Sequence, residues 1–521
     1  MAGHKGSAWK VSRRLLIGLV AGSLLAASSV AGGAEKVFVY ALEGEPESLD
    51  SAKAASERSI QVAWLLCDAL VNISRDGRSL EPGLAESWTL SLDGLQAVVR
   101  LRTGLLFHDG TPVDAQAAKA SFDRQFQPSH ELYSADPKNT KEQMLRELIE
   151  DIQVQGGRTL VFNFKYPGFH YLSQVEVVNP AAVGRLGKEF GRRPVCSGPF
   201  KFDSWSQDRI VLVANDRYWA GRPRIDRVIF RFMPEGTAVV EALLKGEVDF
   251  TPGLPDPASF ERAAQSPRVK LFPVSGLNVF YLGFYTDRPP FNKPLLRRAV
   301  AHAVNVPRAA LFLGRGAAVA AKGPLPTAMK GYDPAVTQAP YDPEAARQLF
   351  SKSGYAPALT VGLVHNSAVA FNAEIAAAIQ GDLSRIGIRV ELQGEPNWRD
   401  VVTAVRAKKG DMFLYGWYVR APYPERLLVP LFHSRSAGTS NLTQYNNPSL
   451  DRLLDEAFRL PQGPKQAATY SQIQRLIVED APMVFLYHAI RMAAYADRVQ
   501  GLELNLGSLP HDKLVKIDLT P

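Results

Sequence analysis

The sequence predicts an α/β protein built from two lobes. Its 521 residues are too many for one simple hydrophobic core. Segments with the two-residue period of strands alternate with segments of helical period along most of the chain, which is typical of mixed sheets covered by helices. Residues 194–250 combine both kinds of segment in one short block. These three observations together predict two or more mixed α/β lobes.

The block 194–250 predicts three strands and one helix. Residues 210–213 form an apolar strand, and residues 227–232 alternate apolar and polar positions. Residues 237–244 have a helical pattern that ends at Gly246, because glycine readily adopts the backbone conformation that closes a helix. Residues 248–250 give the third strand. The block is therefore a mixed α/β unit, and it carries no recognisable catalytic chemistry.

Elements on the N-terminal side of the block follow the same rules. Residues 37–42 are a predicted strand, and residues 59–71 are a predicted apolar helix that includes Cys67. Asp93-Gly94 is a hairpin-turn dipeptide. A helix is expected near residues 115–126, and a strand at residues 160–164.

Elements on the C-terminal side predict the second lobe. We place the first crossing between lobes just before the buried strand at residues 279–284, and a strand at 482–487 leads back to lobe one. Asp342-Pro343 is a strong helix start, with aspartate as the N-cap and proline at the first position. The other predicted elements are helices at 294–305, 371–386, 449–460 and 466–480 and a strand at 411–417.

The N-terminus predicts export. Lys5, Lys10, Arg13 and Arg14 precede a short apolar run at 15–27, followed by small residues, as in a secretory signal. Cleavage after position 31 or 34 fits the small-residue rule, and the paired arginines leave both Sec and twin-arginine export open. The formal net charge of +8 falls to +4 without residues 1–34. That is too small to indicate nucleic-acid binding.

Cys67 and Cys196 are the only two cysteines. In an oxidising compartment such a pair predicts a disulfide. Two buried free thiols are the alternative.

Several ordered motifs resemble one known family. They include Gly-Pro-Phe-Lys-Phe at 198–202, Asn-Asp-Arg-Tyr-Trp-Ala-Gly-Arg-Pro at 215–223 and Leu-Leu-Lys-Gly-Glu-Val-Asp at 243–249. In this order they resemble the family 5 solute-binding proteins of ABC importers, the group that includes dipeptide, oligopeptide, glutathione and nickel binders. The resemblance covers nearly all of the chain after residue 35.

The resemblance implies a two-lobe periplasmic-binding-protein fold of cluster C type, with a small extra subdomain in lobe one. It implies a signal peptide at 1–34, lobe one at 35–71, 179–272 and 488–521, the inserted subdomain at 72–178, and lobe two at 273–487. It also implies a monomeric periplasmic receptor. Such a receptor captures a small peptide-like or other polar solute between closing lobes and delivers it to permease subunits in the inner membrane.

Catalytic and metal motifs are missing from the sequence. It lacks Gly-x-Ser-x-Gly, His-Glu-x-x-His, Cys-x-x-Cys and a Walker loop. His108-Asp109 fits a turn before a helix better than a metal pair. We therefore expect no enzyme activity, no cofactor and no metal. An exported hydrolase with an unrecognised site, or a periplasmic chaperone or sensor on the same scaffold, are the alternative functions, because a fold does not fix a function.

The segment after Trp417 is the predicted ligand site. In peptide-binding members an aspartate that pairs with the peptide's amino terminus follows this tryptophan within a few residues, whereas this sequence has Arg420 there and its first acid is Glu425. Trp417, Tyr418 and Tyr423 offer flat walls for a side chain or ring, and packing between lobes is the alternative role. Arg420 either anchors an acidic group of the ligand or pairs with Glu425.

Ser56 and Arg58 are the predicted ligand contacts from the opposite lobe. They lie at the start of the first helix. The alternative role of Arg58 is a solvated charge at a helix start.

Overall fold

One sheet of twelve strands runs through the part of the protein that the computed structural model describes, residues 35–54, 56–133, 140–233, 238–313, 316–355, 357–419 and 421–520. Its main path is β16-β15-β17-β13-β18-β11-β1-β10-β9-β8, and two further strands, β12 and β14, also pair with β18. The strands are β1 (Val37–Glu43), β2 (Val71–Ile73), β3 (Leu80–Pro82), β4 (Ala85–Leu90), β5 (Gln96–Leu101), β6 (Ile149–Gln155), β7 (Thr159–Phe164), β8 (Phe200–Trp205), β9 (Arg209–Ala214), β10 (Arg227–Met233), β11 (Phe250–Thr251), β12 (Val269–Ser275), β13 (Asn278–Phe284), β14 (Ala318–Ala320), β15 (Leu359–Asn366), β16 (Ile388–Glu395), β17 (Met412–Tyr418), β18 (Met483–Ala496), β19 (Val499–Gln500) and β20 (Asp518–Leu519).

Helices cover the sheet. They are α1 (Glu57–Leu66), α2 (Ala115–Phe126), α3 (Thr140–Leu148), α4 (Pro180–Leu186), α5 (Ala238–Lys245), α6 (Pro257–Ala264), α7 (Pro294–Ala303), α8 (Val306–Leu311), α9 (Pro343–Lys352), α10 (Ala370–Ser384), α11 (Trp398–Arg406), α12 (Glu425–Phe432), α13 (Pro448–Arg459) and α14 (Pro464–Asp480). A 3-10 turn spans Phe169–Gln174. Within the described ranges, no helix has both the length and the apolar content needed to cross a membrane.

Strand β18 joins the two halves of the sheet. Its first residues pair with β13 and β14, and its last residues pair with β12 and β11. We call β1 and β8–β12 with their share of β18 the first half, and β13–β17 with theirs the second half. Each half has parallel pairs flanked by helices, β1 with β10 and β15 with β16. This is the mixed α/β arrangement that the sequence predicts.

The strands that pair with β18 are interrupted where the halves meet. β12 ends at Ser275 and β13 begins at Asn278, while β18 continues past them. The Asn278 side chain fills the gap: its Nδ2 donates to the Ala489 oxygen at 3.0 Å, and its Oδ1 accepts from the Ala489 nitrogen at 2.7 Å. A Cβ on Gly276 would lie 1.9 Å from Asn278 Nδ2 and 2.2 Å from the Ala489 oxygen, so only glycine fits there.

A smaller sheet forms a separate subdomain. Its strand order is β4-β5-β7-β6, and α2, α3 and the 3-10 turn Phe169–Gln174 pack on it. We call these elements the insert. The chain leaves the first half for the insert and returns to it at adjacent positions, where Ala69 bridges to Glu176 and the Val177 nitrogen donates to the Asp68 oxygen at 2.8 Å. Arg124 of α2 binds Asp50 of the first half with two hydrogen bonds of 2.8 Å, both side chains being buried.

Two elements differ from the sequence predictions. Helix α1 begins at Glu57 and ends at Leu66, not at residue 71, because Cys67 has extended backbone angles and the Leu66 oxygen accepts from the Gly198 nitrogen at 2.8 Å. The strand predicted at 482–487 extends to Ala496, because its second part pairs with β12 and β11. The predicted signal at 1–34, with its candidate cleavage sites, and the first residue of the helix predicted at 237–244 lie outside the described residues.

The structure joins Cys67 and Cys196 by a disulfide, with Cα atoms 4.9 Å apart. Both residues are buried in the core of the first half. Cys67 follows α1 and Cys196 precedes β8, so the bond closes a loop of sequence separation 129 that contains the whole insert. The disulfide therefore ties the base of the insert to the first half.

We predict that replacing both cysteines by alanine lowers the free energy of unfolding. A closed loop of this length restricts the unfolded chain by roughly 4–5 kcal/mol in the chain-entropy model. Urea denaturation of wild type and of the Cys67→Ala/Cys196→Ala variant measures the loss. A reducing agent should destabilise the wild type and leave the variant unchanged. Two thiols titrating with Ellman's reagent in the denatured, unreduced wild type would contradict the disulfide.

We also predict an acid-sensitive junction. His488 donates from Nδ1 to the Asn278 oxygen at 2.7 Å, and burial lowers the pKa of His488 to about 4. An unfolded histidine has a pKa of about 6.5, so the unfolded chain binds the extra proton between these values. The free energy of unfolding should therefore keep its full value above pH 6.5 and fall by about 3 kcal/mol as the pH drops toward 4.

Urea denaturation across that pH range provides the measurement. The His488→Gln variant should show a shallower loss of stability between pH 6.5 and 4 than the wild type. His108→Gln is a positive control away from the junction, since burial also lowers the pKa of His108 to about 4. If the free energy of unfolding of His488→Gln depends on pH as steeply as that of the wild type, His488 is not the group responsible for the loss.

Candidate functional site

The end of β17 lies against the junction between the halves. Tyr418, its last residue, is directly opposite Asn278, and the Val419 nitrogen donates to the Leu277 oxygen at 2.8 Å. Gly416 is required by packing, because a Cβ there would lie 2.6 Å from the Phe280 ring. The strand therefore brings Tyr418 to the junction, where its side chain is 47% exposed.

Two charged residues of the first half lie near Tyr418. Arg491, on β18, donates from Nη1 to the carboxylate of Glu57, the first residue of α1, and the two side chains are 29% and 38% exposed. Burial would lower the pKa of Arg491, but the hydrogen bond and charge of Glu57 outweigh it and raise that pKa. A phenol from one half and an ion pair from the other thus meet at the junction.

Ser56 and Arg58, the predicted contacts of the first half, hold the loop after β1. Ser56 caps α1 by accepting from the Ser59 nitrogen at 3.2 Å, and its own nitrogen and hydroxyl donate to Glu47. Burial would raise the pKa of Glu47, but these hydrogen bonds lower it to about 2. Arg58 donates from Nη1 to the Glu43 oxygen at 3.0 Å. Ser56 and Arg58 are the sequence neighbours of Glu57, which pairs with Arg491 of β18.

Trp417 is packed on the other face of β17 from Tyr418. Its Nε1 donates to the Arg426 oxygen at 3.1 Å, and its half-buried ring joins the core formed by α12, α13 and α14. This contact connects the end of β17 to the start of α12. Trp417 thus packs within a core of the second half, and its role as a ligand contact stays a prediction.

Tyr423 is buried in the core of the insert. It is 1% exposed, its hydroxyl donates to the His170 oxygen at 3.2 Å, and its ring centroid lies 4.2 Å from that of His170. Ala421 belongs to the same core. Arg420 lies outside the described residues, between the buried residues Val419 and Ala421. The predicted ligand segment therefore passes from the junction to the insert.

Glu425 is the residue whose surroundings the sequence did not indicate. Tyr171 of the insert donates to its Oε1, Tyr470 of α14 donates to its Oε2 at 3.3 Å, and His170 Nε2 lies 3.5 Å from Oε1. Burial would raise the pKa of Glu425, but the hydrogen bonds and charge of these partners, His170 first, lower it. Burial lowers the pKa of His170.

A cavity of about 160 Å³ opens beside Glu425. The insert and the second half line it together, through Pro167, His170, Tyr171, Lys330, Tyr423 and Tyr470 among others. Lys330 Nζ lies 5.6 Å from the centre of the Tyr423 ring, and burial lowers the pKa of Lys330. The surface between these two parts is therefore polar as well as aromatic.

Glu57 and Arg491 were missed by sequence reasoning. Glu57 directly follows the helix cap, so the helix-start signal was available to find it. Arg491 lies in the part of β18 that was not predicted as strand, and no local pattern indicates its position at the junction.

His108 belongs to a turn, as expected. Its Nε2 lies 3.1 Å from the Gly198 oxygen, and its Nδ1 accepts from the Cys196 nitrogen. Asp109 caps the turn by accepting from Thr111. In the described part of the chain, no group of three or more histidine, cysteine or acidic side chains has the arrangement of a metal site.

Comparison with known proteins identifies the family. The model for bacterial extracellular solute-binding proteins, family 5 Middle, matches residues 79–439, more than half of the chain. The protein belongs to this family. Its members are periplasmic or extracellular solute-binding proteins that work with ABC permeases, and they are not enzymes. The predicted family, the two-lobe α/β fold of cluster C and the non-enzymatic receptor are therefore confirmed.

Individual relatives are distant but aligned over nearly their whole length. The chain is 28% identical to heme-binding protein A of Haemophilus influenzae, covering 89% of each protein. It is 27% identical to di/tripeptide-binding protein 2 of Pseudomonas aeruginosa, covering 95% of this chain and 97% of the relative. The solved structure of HbpA2 from Haemophilus parasuis superposes with a TM-score of 0.85 at 24% identity, over 93% of this chain and all of that one, and supports the fold.

Proposed function

We propose that this solute-binding protein captures a small peptide-like or other polar solute at the junction of its halves and delivers it to an ABC permease. The observation that carries the proposal is that Tyr418, opposite Asn278 on β13, and Arg491, opposite Val274 on β12, come from the two sides of the junction, with Glu57 paired to Arg491. An aromatic wall beside paired charges suits a ligand with one flat or apolar part and one ionised part. The di/tripeptide-binding relative supports this ligand class.

The lobes correspond in this proposal to the two halves of the sheet. The change of partners along β18, at Gly276 and Ala489, supports lobe boundaries close to residues 272–273 and 487–488. Bending there closes the lobes over the ligand, and the ligand stabilises the closed state through its higher affinity for it. The protein acts as a monomer, exported to the periplasm by residues 1–34.

Arg420 anchors a carboxylate of the ligand in this proposal. The alternative, in which Arg420 serves to neutralise Glu425, is weakened because that carboxylate already has Tyr171, Tyr470 and His170 as partners. A guanidinium inside a closed cleft suits a carboxylate because its donors form a planar fork. A free amino group on the ligand is not required, since the position of the amine-binding aspartate is held by arginine.

Ligand-dependent compaction tests the proposed function. Glutathione, dialanine and their N-acetylated and carboxyamidated forms are titrated by calorimetry. A peptide that binds is then added to the protein, and X-ray scattering measures the radius of gyration with and without it. We expect stoichiometric binding without turnover and a smaller radius of gyration. An unchanged radius at saturation would contradict closure, and catalytic turnover would favour the hydrolase. Binding of unfolded proteins instead of any solute would favour the chaperone.

Arg420→Ala tests the anionic anchor. Truncating one member of a buried charged pair typically costs 2–5 kcal/mol, so affinity for the binding peptide should fall by roughly thirtyfold or more. Arg399→Ala removes an exposed charge elsewhere on the second half and should leave affinity unchanged. N-acetylation of the ligand should matter less than amidation of its carboxylate. Equal affinities of wild type and Arg420→Ala would remove the support for an anionic ligand group.

A further inference from the structure

Arg491 and Tyr418 lie on the same face of the large sheet, although they come from different halves. Tyr418 is directly opposite Asn278 on β13. Phe280 follows two residues later and is opposite Tyr487 on β18. Side chains at alternate positions of a strand, and side chains directly opposite each other on paired strands, share a face of the sheet. The same alternation leads along β18 from Tyr487 to Arg491.

Helices of both halves cover this face. In the first half, α1 packs in the core that contains Val274, the residue opposite Arg491. In the second half, α7 to α10 pack in the core that contains Tyr487. The guanidinium of Arg491 meets the first residue of α1, and its side chain is 29% exposed. A solute that enters between the halves on this face therefore comes next to Arg491.

The first half holds Arg491 in a defined position. Its Nη1 donates to the carboxylate of Glu57, and Oε1 of Glu57 also accepts from Gln61 Nε2 at 3.4 Å. The stem of Arg491 packs against Gly253, where a Cβ would lie 3.4 Å from Cγ and 3.1 Å from Nε. A side chain that is already oriented loses less conformational entropy when a ligand binds to it. The guanidinium is therefore prepared for a second partner.

Most of the hydrogen-bonding capacity of Arg491 is unused in the part of the chain that the structure describes. A guanidinium has several N–H groups, and Arg491 makes its hydrogen bond there with Glu57. Arginines with a structural role use more of their donors. Arg297 donates from three nitrogens to backbone oxygens, and Arg498 donates from two nitrogens to the carboxylate of Asp249. Arg491 therefore has donors left for an acceptor from outside the chain.

We propose that Arg491 binds a carboxylate of the solute from the first half, in addition to the carboxylate that Arg420 anchors from the second half. The inference rests on the proposed function and narrows it to solutes with two acid groups. The planar fork of N–H donors fits a carboxylate. Glu57 orients the guanidinium and offsets its charge, so the acid group is bound through directed hydrogen bonds and not through net charge.

Calorimetric titration of glutathione and its two monoamides tests this anchor. Each monoamide replaces one carboxylate of glutathione by a neutral amide. Loss of hydrogen bonds to a charged group lowers affinity by roughly ten- to a hundredfold, so Arg491→Gln should weaken glutathione binding by that factor. One monoamide should be equally weak with the wild type and lose nothing further with Arg491→Gln, because its group for Arg491 is already gone. Arg491→Lys keeps the charge but loses the fork, and should be weakened nearly as much.

Arg231→Gln is the matched control. Arg231 donates from Nη1 to Glu247 at 3.0 Å, and it lies on the opposite face of the first half, since Ala41 beside it packs in the core with α5. This variant should bind glutathione as the wild type does. Equal affinities of wild type and Arg491→Gln, or equal losses for glutathione and both monoamides, would overturn the anchor. Urea denaturation checks folding, and Arg491→Lys takes the place of Arg491→Gln if that variant does not fold.

Glutarate separates the anchor from the proposed function, because it has two carboxylates and no peptide bond. If glutarate raises the unfolding temperature of the wild type and not of Arg491→Gln, while no peptide binds, the anchor stands and the peptide class is wrong. If peptides bind and compact the protein, but Arg491→Gln binds them as the wild type does, the proposed function stands and the anchor is wrong. The absence of any binding that depends on Arg491, with glutathione or with glutarate, also overturns the anchor.

Discussion

The constraint on which the rest of the structure depends is that one strand serves both halves of the sheet. β18 bonds to β13 and β14 at its start and to β12 and β11 at its end. Sliding one half past the other would break every one of these ladder bonds at once, whereas bending at the break between β12 and β13 affects few. Asn278 keeps the backbone of Ala489 hydrogen-bonded across that break. The shared strand therefore favours bending over sliding between the halves.

Several carboxylates of the first half are paired with guanidinium groups. Asp50 with Arg124, Glu57 with Arg491 and Asp249 with Arg498 each place a carboxylate next to a guanidinium. Desolvated ions are tolerated only when such partners replace water. These pairs differ in accessibility: the Asp50 pair is sealed, whereas the Glu57 pair retains solvent contact next to an exposed tyrosine. A sealed pair stabilises the architecture, and the accessible pair retains hydrogen-bonding capacity, as the proposed ligand site requires.

Local signals in the sequence predicted the elements whose determinants lie within a few residues. Helix α2 was placed at 115–126, where it lies, and the cap and proline at Asp342-Pro343 locate the start of α9, where Asp342 accepts from two backbone nitrogens at 3.0 Å. The end of α1 could not be predicted, because its cause is a partner more than a hundred residues away. The second part of β18 was missed for the same reason. Tyr418 could be named as a candidate from the sequence because it directly follows Trp417. The environment of Glu425, in contrast, depends on Tyr171 and Tyr470, and no local pattern connects these residues to it.

The insert leaves and re-enters its host at neighbouring backbone positions. Since Ala69 and Glu176 already bridge each other, the gap that would remain after removal of the insert is short enough for a tight turn, and the first half would keep its hydrogen-bonded sheet. A subdomain connected in this way is a modular insertion into the first half. Its size and surface are free to vary without a redesign of the two-lobed scaffold, provided that Arg124 and the wall facing Tyr423 are retained.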